Sequence, residues 1–367
     1  MVQLDERAAA YGVTFLDDSS DEVYFTGMKG VHALLDAFTS DGWFEPASPR
    51  DAQLNFEKFT AAPTPVVAEN GDKLHYVHIN AKLPDAGTQS IVMITGFTEM
   101  AEHMEEMSYY FWQAGFDVWI LEHRGHGRSP RDVNDMGMIW IDDYRRYVAD
   151  AEKLIRDVVR PHAATSFGKD ASVYVYAHSM GGGVATLMAE HTPGLVNKYV
   201  LSAPMIAPIA GMPDWVARLA TGFLGTVAGK TKIPVSINQK EFNTQFNEEG
   251  ARGLNHSRAL WLHTQRLAAK TNQMYVASNR WAQQAMKMTD DILEPRHVKR
   301  ISDPMLLIQS ENDKWVRTDK QDEFVALAKD EGAPVTKIVM KGARHELESE
   351  KPEILHGMVD DILDFLA

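Results

Sequence analysis

The chain has 367 residues, 44% hydrophobic and 24% charged, enough for a sizeable buried core in a globular protein. Its formal net charge of −14 disfavours nucleic acid and anionic lipid surfaces as partners, because phosphate binding needs clustered Lys and Arg and here they are scattered. With no cysteine, disulfides, thiolate metal sites and cysteine nucleophiles are excluded together. The N-terminus "MVQLDERAAAYGVTFLDDSS" lacks a basic segment leading into an apolar stretch, and no run approaches the roughly 18 apolar residues of a membrane span, so a cytoplasmic protein is expected.

Residues 1–60 show no clean periodicity beyond a short helical stretch in "VHALLDAFTS" (31–40), and are read as an N-terminal extension. From about residue 63 the pattern becomes regular. "TPVVAENGDKLHYVHINAK" predicts two strands around an Asn-Gly turn. The apolar run "SIVMITG" (90–96) predicts a buried strand, "AEHMEEMSYYFWQAG" a helix ended by Gly115, and "FDVWILEH" (116–123) the next strand. A helix over 141–159, a strand over 171–177, a helix after Ser179 and a strand over 198–203 follow. "PMLLIQS", "DKQDEFVALAKDEG", "APVTKIVMKG" and "KPEILHGMVDDILDFLA" repeat the order strand, helix, strand, helix. Such alternation implies an α/β fold with a mostly parallel central sheet and helices on both faces.

Between Pro204 and about Arg300 the alternation gives way to helical patterns. The predicted organisation is therefore a core of residues 61–203 and 301–367 carrying a helical cap over 204–300. In "PDWVARLATGFLGTVAG" the apolar residues Trp215, Val216, Leu219, Ala220, Phe223, Leu224 and Val227 fall at helical spacing. That stripe is expected to pack over the core; the alternative is a lid that binds acyl chains or touches lipid aggregates.

The stretch "VYVYAHSMGGGVATLMAE" (173–190) carries the chemistry. A β-branched and aromatic run meets Ser179 between small residues, and a helical run follows, as in a nucleophile elbow. A serine hydroxyl is a poor nucleophile unless a base takes its proton, and that base needs a third group to orient it. The elbow places the serine on a tight turn where bulky neighbours would clash. Ala177 stands where the first glycine of GxSxG is usual, while Gly181, Gly182 and Gly183 keep the far side open. Serine also caps helices readily, which is the bland reading of Ser179.

The order of partners along the chain favours chemistry. "ENDKWV" puts Asp313 in a loop at the carboxyl end of a strand, with Glu311 as the competing acid, and "KGARHELESE" puts His345 in the loop after the following strand. Acyl transfer also needs donors for the tetrahedral oxyanion: the amide of Met180, after the nucleophile, and that of Phe97, in the loop that ends "ITGFTE".

On these motifs the chain from about residue 64 to 367 resembles an α/β-hydrolase of the lysophospholipase and monoacylglycerol lipase branch. "AHSMGGG" is similar to that branch's GHSMGG, "EHRGHGRS" (122–129) to DHRGHGxS, and "SENDKWV" and "ARHEL" to its acid and histidine loops. "NHSRALWLHTQRL" and "NRWAQQAM" resemble its cap. The chain departs from the branch at Thr95 and Thr98, which replace the histidine and second glycine of HGxGE, at Glu122-His123 in place of Asp-His, and at Ala177. The resemblance implies a serine hydrolase of carboxylic esters, one acyl chain on glycerol or a lysophospholipid. It would work through an acyl-enzyme on Ser179, with a small-molecule acyl ester as partner.

Two further readings stand beside it: a proline iminopeptidase-like aminopeptidase, whose cap should offer carboxylates to a substrate amino group, and a non-catalytic binding protein on a hydrolase scaffold. "GTVAGKT" (225–231) is one residue short of a phosphate-binding loop, and "RHELES" is not HExxH. The sequence assigns no cofactor and no metal, and carries no signal for oligomeric state.

Overall fold

A computed structural model describes residues 6–48 and 64–367 of the chain. Among the described residues there are ten strands: β1 Thr39–Phe44, β2 Leu74–Ile79, β3 Ser90–Ile94, β4 Asp117–Leu121, β5 Met138–Ile139, β6 Val173–His178, β7 Lys198–Ser202, β8 Val276–Ala277, β9 Met305–Ser310 and β10 Val335–Met340. Eight of them form one sheet in the order β1-β2-β4-β3-β6-β7-β9-β10, while β5 pairs with β8. From β4 to β10 every neighbour is parallel; β1–β2 and β2–β4 are antiparallel. This is the expected α/β architecture.

The central strands are buried on both faces, so their side chains divide by the two-residue period of a strand. In β6, Val173, Val175 and Ala177 join the core under the helices Arg145–Leu154, Met180–His191 and Thr318–Glu331. Tyr174 and Tyr176 join the opposite core, under Glu105–Gln113 and Pro352–Leu366.

The N-terminal segment adds to this body. Residues 1–5 and 49–60 lie outside the described residues, but Asp21–Asp36 is a helix, longer than the stretch the sequence picks out, capped by the Ser20 side chain accepting from the Val23 amide. It buries Tyr24, Met28, Val31 and Leu35, and β1 then forms the sheet edge. The predicted hairpin at 64–82 is corrected accordingly. Its downstream arm is β2, but the antiparallel partners of β2 are β1 and β4, and the upstream arm makes only a bridge from Val67 to Arg131.

The segment 204–300 is helical, with Asp214–Val227, His256–Ala268 and Asn279–Ile292 as its long helices. The expectation for the stripe on Asp214–Val227 is corrected for four of its seven residues: Trp215, Leu219 and Phe223 are each 67% exposed and Val227 63%, while Val216, Ala220 and Leu224 are half-buried. The helix docks instead through its small residues Ala217 and Gly225, with Gln283 Nε2 donating to the Gly222 carbonyl at 3.0 Å. Among the described residues no helix is long and apolar enough to cross a membrane.

One core group is a pH-dependent liability. Glu152, fully buried, accepts from Thr192 Oγ1 at 2.8 Å, and burial pushes its carboxyl up to about 8. A carboxyl raised above its unfolded value of about 4.3 binds more protons folded than unfolded, so stability falls as pH climbs from there to about 8. Glu152→Gln cannot ionise. It is expected to raise Tm above wild type at pH 8, with the gap narrowing towards pH 5; thermal melts at both values check this.

Candidate active site

Four loops at the carboxyl ends of parallel strands converge on one point, where open α/β sheets gather ligands. They follow β3, β6, β9 and β10, and they carry Phe97, Ser179, Asp313 and His345. Ser179 Oγ lies 2.8 Å from His345 Nε2, and His345 Nδ1 lies 2.7 Å from Asp313 Oδ2. The second oxygen of Asp313 accepts from the amides of Trp315 and Val316 at 2.8 and 2.9 Å. Glu311, the competing acid, is elsewhere: its carboxylate receives Lys341 Nζ at 3.0 Å and the Gly342 amide at 2.8 Å.

Ser179 sits at φ 52°, ψ −118°, a strained backbone for any residue but glycine, and is followed at once by the helix Met180–His191. What permits the turn is space on its far side. A Cβ on Gly181 would lie 2.3 Å from the Ile94 carbonyl oxygen, and one on Gly182 would lie 2.6 Å from Pro204 Cβ. The Ala177 methyl is simply buried in the core, so the glycine usual at that position is not a steric necessity here.

Met180 opens its helix, so its amide belongs to the first-turn N–H groups that lack an intrahelical acceptor. The other loop is equally near: a Cβ built on Gly96 would stand 3.0 Å from Ser179 Cβ. The Gly96 amide donates to Glu99 at 2.5 Å, ahead of Phe97. The two threonine departures have separate consequences. Thr95 is buried and its hydroxyl donates to the Leu121 carbonyl, whereas Thr98 lines the cavity at φ 61°, a strained conformation for a β-branched side chain.

Beneath the triad lies a layer of charge that the sequence reading does not assign. Glu99 Oε1 is 2.5 Å from His178 Nδ1, and His178 Nε2 is 3.2 Å from the His345 carbonyl oxygen and 3.6 Å from Glu348. Glu348 also receives the Tyr176 hydroxyl and, at 3.1 Å, that of Ser202. Burial would raise Glu99, but the neighbouring His178 imidazolium overrides it and holds the carboxyl down to about 2. Burial would likewise lower His178; Glu348 and Glu99 instead raise it well above the ordinary imidazole value. The ion pair thus ties the Gly96 loop to the His345 loop. Strand periodicity carries the missing signal, because His178 shares a sheet face with Tyr176.

Glu122 works similarly in the next loop. It accepts from the Ala101 and Arg128 amides at 2.9 and 2.7 Å and lies 2.8 Å from His75 Nδ1. Burial alone would raise its carboxyl, yet His75 and these amides hold it low. His123 and His126 are fully buried, and burial lowers both, His126 to about 4.

His345, with Phe97 and Thr98, lines a cavity of about 310 Å³. The cap contributes Phe246, Leu254, Ala259, Leu262 and Arg266 to it, while the core side adds Lys314 and Arg344. Arg266 Nη2 donates to the Met274 carbonyl, and its buried Nε has no partner among the described residues. The carboxylates on the wall, Glu99 and Glu346, come from the core side.

Comparisons with known proteins agree with this fold. The chain is 28% identical over 292 residues to "Lysophospholipase L2" of Escherichia coli K12, covering 74% of this chain and 79% of that one. A carboxyl esterase of Bacillus coagulans solved with glycerol superimposes with a TM-score of 0.65 at 16% identity, covering 89% of this chain and 97% of the other. A soluble variant of monoglyceride lipase from Saccharomyces cerevisiae, solved with a substrate analogue, does so at 0.61 and 15% identity, covering 85% and 96%. These structures share the fold, and the resemblance to the lysophospholipase and monoacylglycerol lipase branch holds at the level of sequence. The family model described as serine aminopeptidase, S33 (Hydrolase_4) matches residues 86–352, and the chain belongs to that family of α/β-hydrolases.

Proposed function

We propose that the protein is a serine hydrolase of carboxylic esters, acting on a single acyl chain carried by a lysophospholipid or by glycerol. His345 Nε2 takes the Ser179 proton as Oγ attacks the ester carbonyl, and the Phe97 and Met180 amides receive the oxyanion. Asp313 orients His345 and stabilises the imidazolium that forms. Collapse of the tetrahedral intermediate sends the proton from His345 to the leaving alcohol, and water, deprotonated by the same imidazole, then releases the fatty acid.

The observation that carries this reading is the unbroken Ser179–His345–Asp313 hydrogen-bond chain beside a cavity that His345 lines, walled by apolar cap residues and by Arg266, Lys314 and Arg344. The apolar residues suit an acyl chain, and Arg266, Lys314 and Arg344 suit a phosphate. The relatives described as lysophospholipases support that choice. An aminopeptidase is named in the family's description, but it needs an anionic anchor for the substrate ammonium. Glu99 is occupied by His178, Glu346 lies 3.5 Å from His103 Nε2, and the cap residues on the cavity wall include no carboxylate.

The exposed Trp215, Leu219, Phe223 and Val227 extend the reading. They form an apolar face suited to resting transiently on a lipid aggregate while the cavity draws a monomer from it.

A turnover panel tests both steps. Lysophosphatidylcholine and monoacylglycerol of equal acyl length, p-nitrophenyl butyrate and a proline arylamide are compared. Esters should turn over and the arylamide should not; arylamide turnover without ester turnover overturns the reading. In the same panel, Leu219→Glu with Phe223→Glu should slow micellar substrates while leaving the soluble butyrate unchanged. Equal losses on both would remove the lipid-contact role.

A further inference from the structure

On the far end of the helix that begins after Ser179, Glu190 and His191 meet His297 of the short helix Pro295–Val298. The donor atoms of these three residues all lie within 4.8 Å of one another. Asp291, on the helix Asn279–Ile292, stands behind them: its Oδ1 is 2.8 Å from His297 Nδ1, and its Oδ2 is 3.7 Å from His191 Nε2. Tyr144 donates its hydroxyl to Asp291 Oδ2 at 2.7 Å. The cluster adjoins an open cleft of about 680 Å³ that His191, His297 and Asp291 help to line. None of these residues touches the triad.

Glu190 demands an explanation. It is 0% exposed, yet neither carboxylate oxygen has a hydrogen-bond partner among the described residues. A buried carboxylate without donors is costly, and native structures pair such groups or use them to hold a metal. Arg300 acts on Glu190 through space, but its Nη2 donates to the His191 carbonyl, 2.7 Å away, and no hydrogen bond reaches the carboxylate. Two other clusters of histidine and carboxylate occur among the described residues, and in both the fully buried carboxylate is already engaged, while the half-buried Glu346 of the first lies 3.5 Å from His103 Nε2. Glu99 is paired with His178. Asp117 receives Trp119 Nε1 at 2.7 Å and lies 2.8 Å from His78 Nε2.

We infer that Glu190, His191 and His297 form a binding site for a divalent transition-metal ion of the zinc type, fastening the end of the Ser179 helix to the last turn of the cap. Two imidazoles and a carboxylate are a borderline nitrogen and oxygen donor set, which suits Zn²⁺ better than Mg²⁺ or Ca²⁺. Asp291 supplies the outer carboxylate. By engaging His297 Nδ1 it leaves Nε2 for the ion, the arrangement in which metal-bound histidines are usually held. Zinc bonds of about 2.0–2.2 Å bring tetrahedral donors to about 3.3 Å apart, so the three side chains would draw inward by about an ångström. The cleft gives the ion entry and a water as fourth ligand.

The test uses untagged full-length protein, stripped with EDTA, dialysed and titrated with zinc sulfate by calorimetry. Wild type should bind Zn²⁺ at this site and gain Tm on binding, and Co²⁺ should give the visible absorption of a tetrahedral complex. Glu190→Gln and His297→Ala should each lose affinity about tenfold or more, and Asp291→Asn about 10- to 100-fold. His297 is only half-buried, so its variant should keep the wild-type circular dichroism and ester turnover even if Glu190→Gln folds poorly. Failure of wild type to bind Zn²⁺, or unchanged affinity in His297→Ala, overturns the site. Binding is read without substrate, so the result is independent of the proposed ester chemistry.

Discussion

Ser179→Ala is expected to lower kcat on p-nitrophenyl esters by about 10⁶-fold, the scale on which removal of a triad nucleophile operates, and to abolish labelling by a fluorophosphonate. One atom accounts for the loss. Oγ is the group 2.8 Å from His345 Nε2, and without it the imidazole has no proton to take and no covalent intermediate can form. Folding should survive, because alanine is smaller than serine and the elbow is held by main-chain bonds. The Ser179 amide donates to the Ser202 carbonyl at 3.0 Å, and the Ser179 carbonyl accepts from Met205 at 2.7 Å. Tm should therefore stay near wild type while activity vanishes. Labelling that persists in Ser179→Ala would move the nucleophile elsewhere, and an unlabelled wild type would favour a binding protein on a hydrolase scaffold.

The elbow was legible because its demands are local. Strand, serine and three glycines are contiguous, and the crowding at Gly181 and Gly182 shows why small residues must follow the serine. The order nucleophile, acid, histidine was legible because loops after successive parallel strands converge on one edge of the sheet. Pairing across the sheet was not legible. β1, "TSDGWF", is an edge strand whose first three residues are exposed, so it carries no apolar alternation to announce it. The Asn-Gly turn therefore suggested a local hairpin where a distant segment pairs with β2.

Helical spacing has a comparable limit. The stripe from Trp215 to Val227 reveals an apolar face but not what that face meets. The helix docks through Ala217 and Gly225, with Val216, Ala220 and Leu224 half-buried, and leaves Trp215, Leu219, Phe223 and Val227 exposed. Helix Asp21–Asp36 was hidden differently. Its buried residues Tyr24, Met28, Val31 and Leu35 keep helical spacing, but Gly27 and Gly30 interrupt the pattern between them. The Glu99–His178–Glu348 layer joins a loop, the end of β6 and a short turn distant in sequence, so strand periodicity gives the face of His178 but not the carboxylates it meets there. Its effect on chemistry passes through the His345 main chain and the Gly96 loop.

Asp313→Asn should cost about 10⁴-fold in kcat, as in a comparable triad change, with little effect on KM. The surroundings of Asp313 make the outcome specific. Two backbone amides, of Trp315 and Val316, point at Oδ1, so an asparagine must keep its carbonyl oxygen there; turning the amide over would set donors against donors. The NH₂ group then faces His345 Nδ1 and donates to it. That selects the tautomer with the proton on Nε2, which faces Ser179 Oγ and cannot accept its proton. The side chain is fully buried, so the fold should tolerate the isostere while the chemistry stops. Glu311→Gln is the control: its carboxylate is engaged by Lys341 and Gly342, and turnover should stay near wild type. Steady-state kinetics on one soluble ester decide between the two acids, because near-normal kcat in Asp313→Asn would remove it from the mechanism whatever its distance to His345.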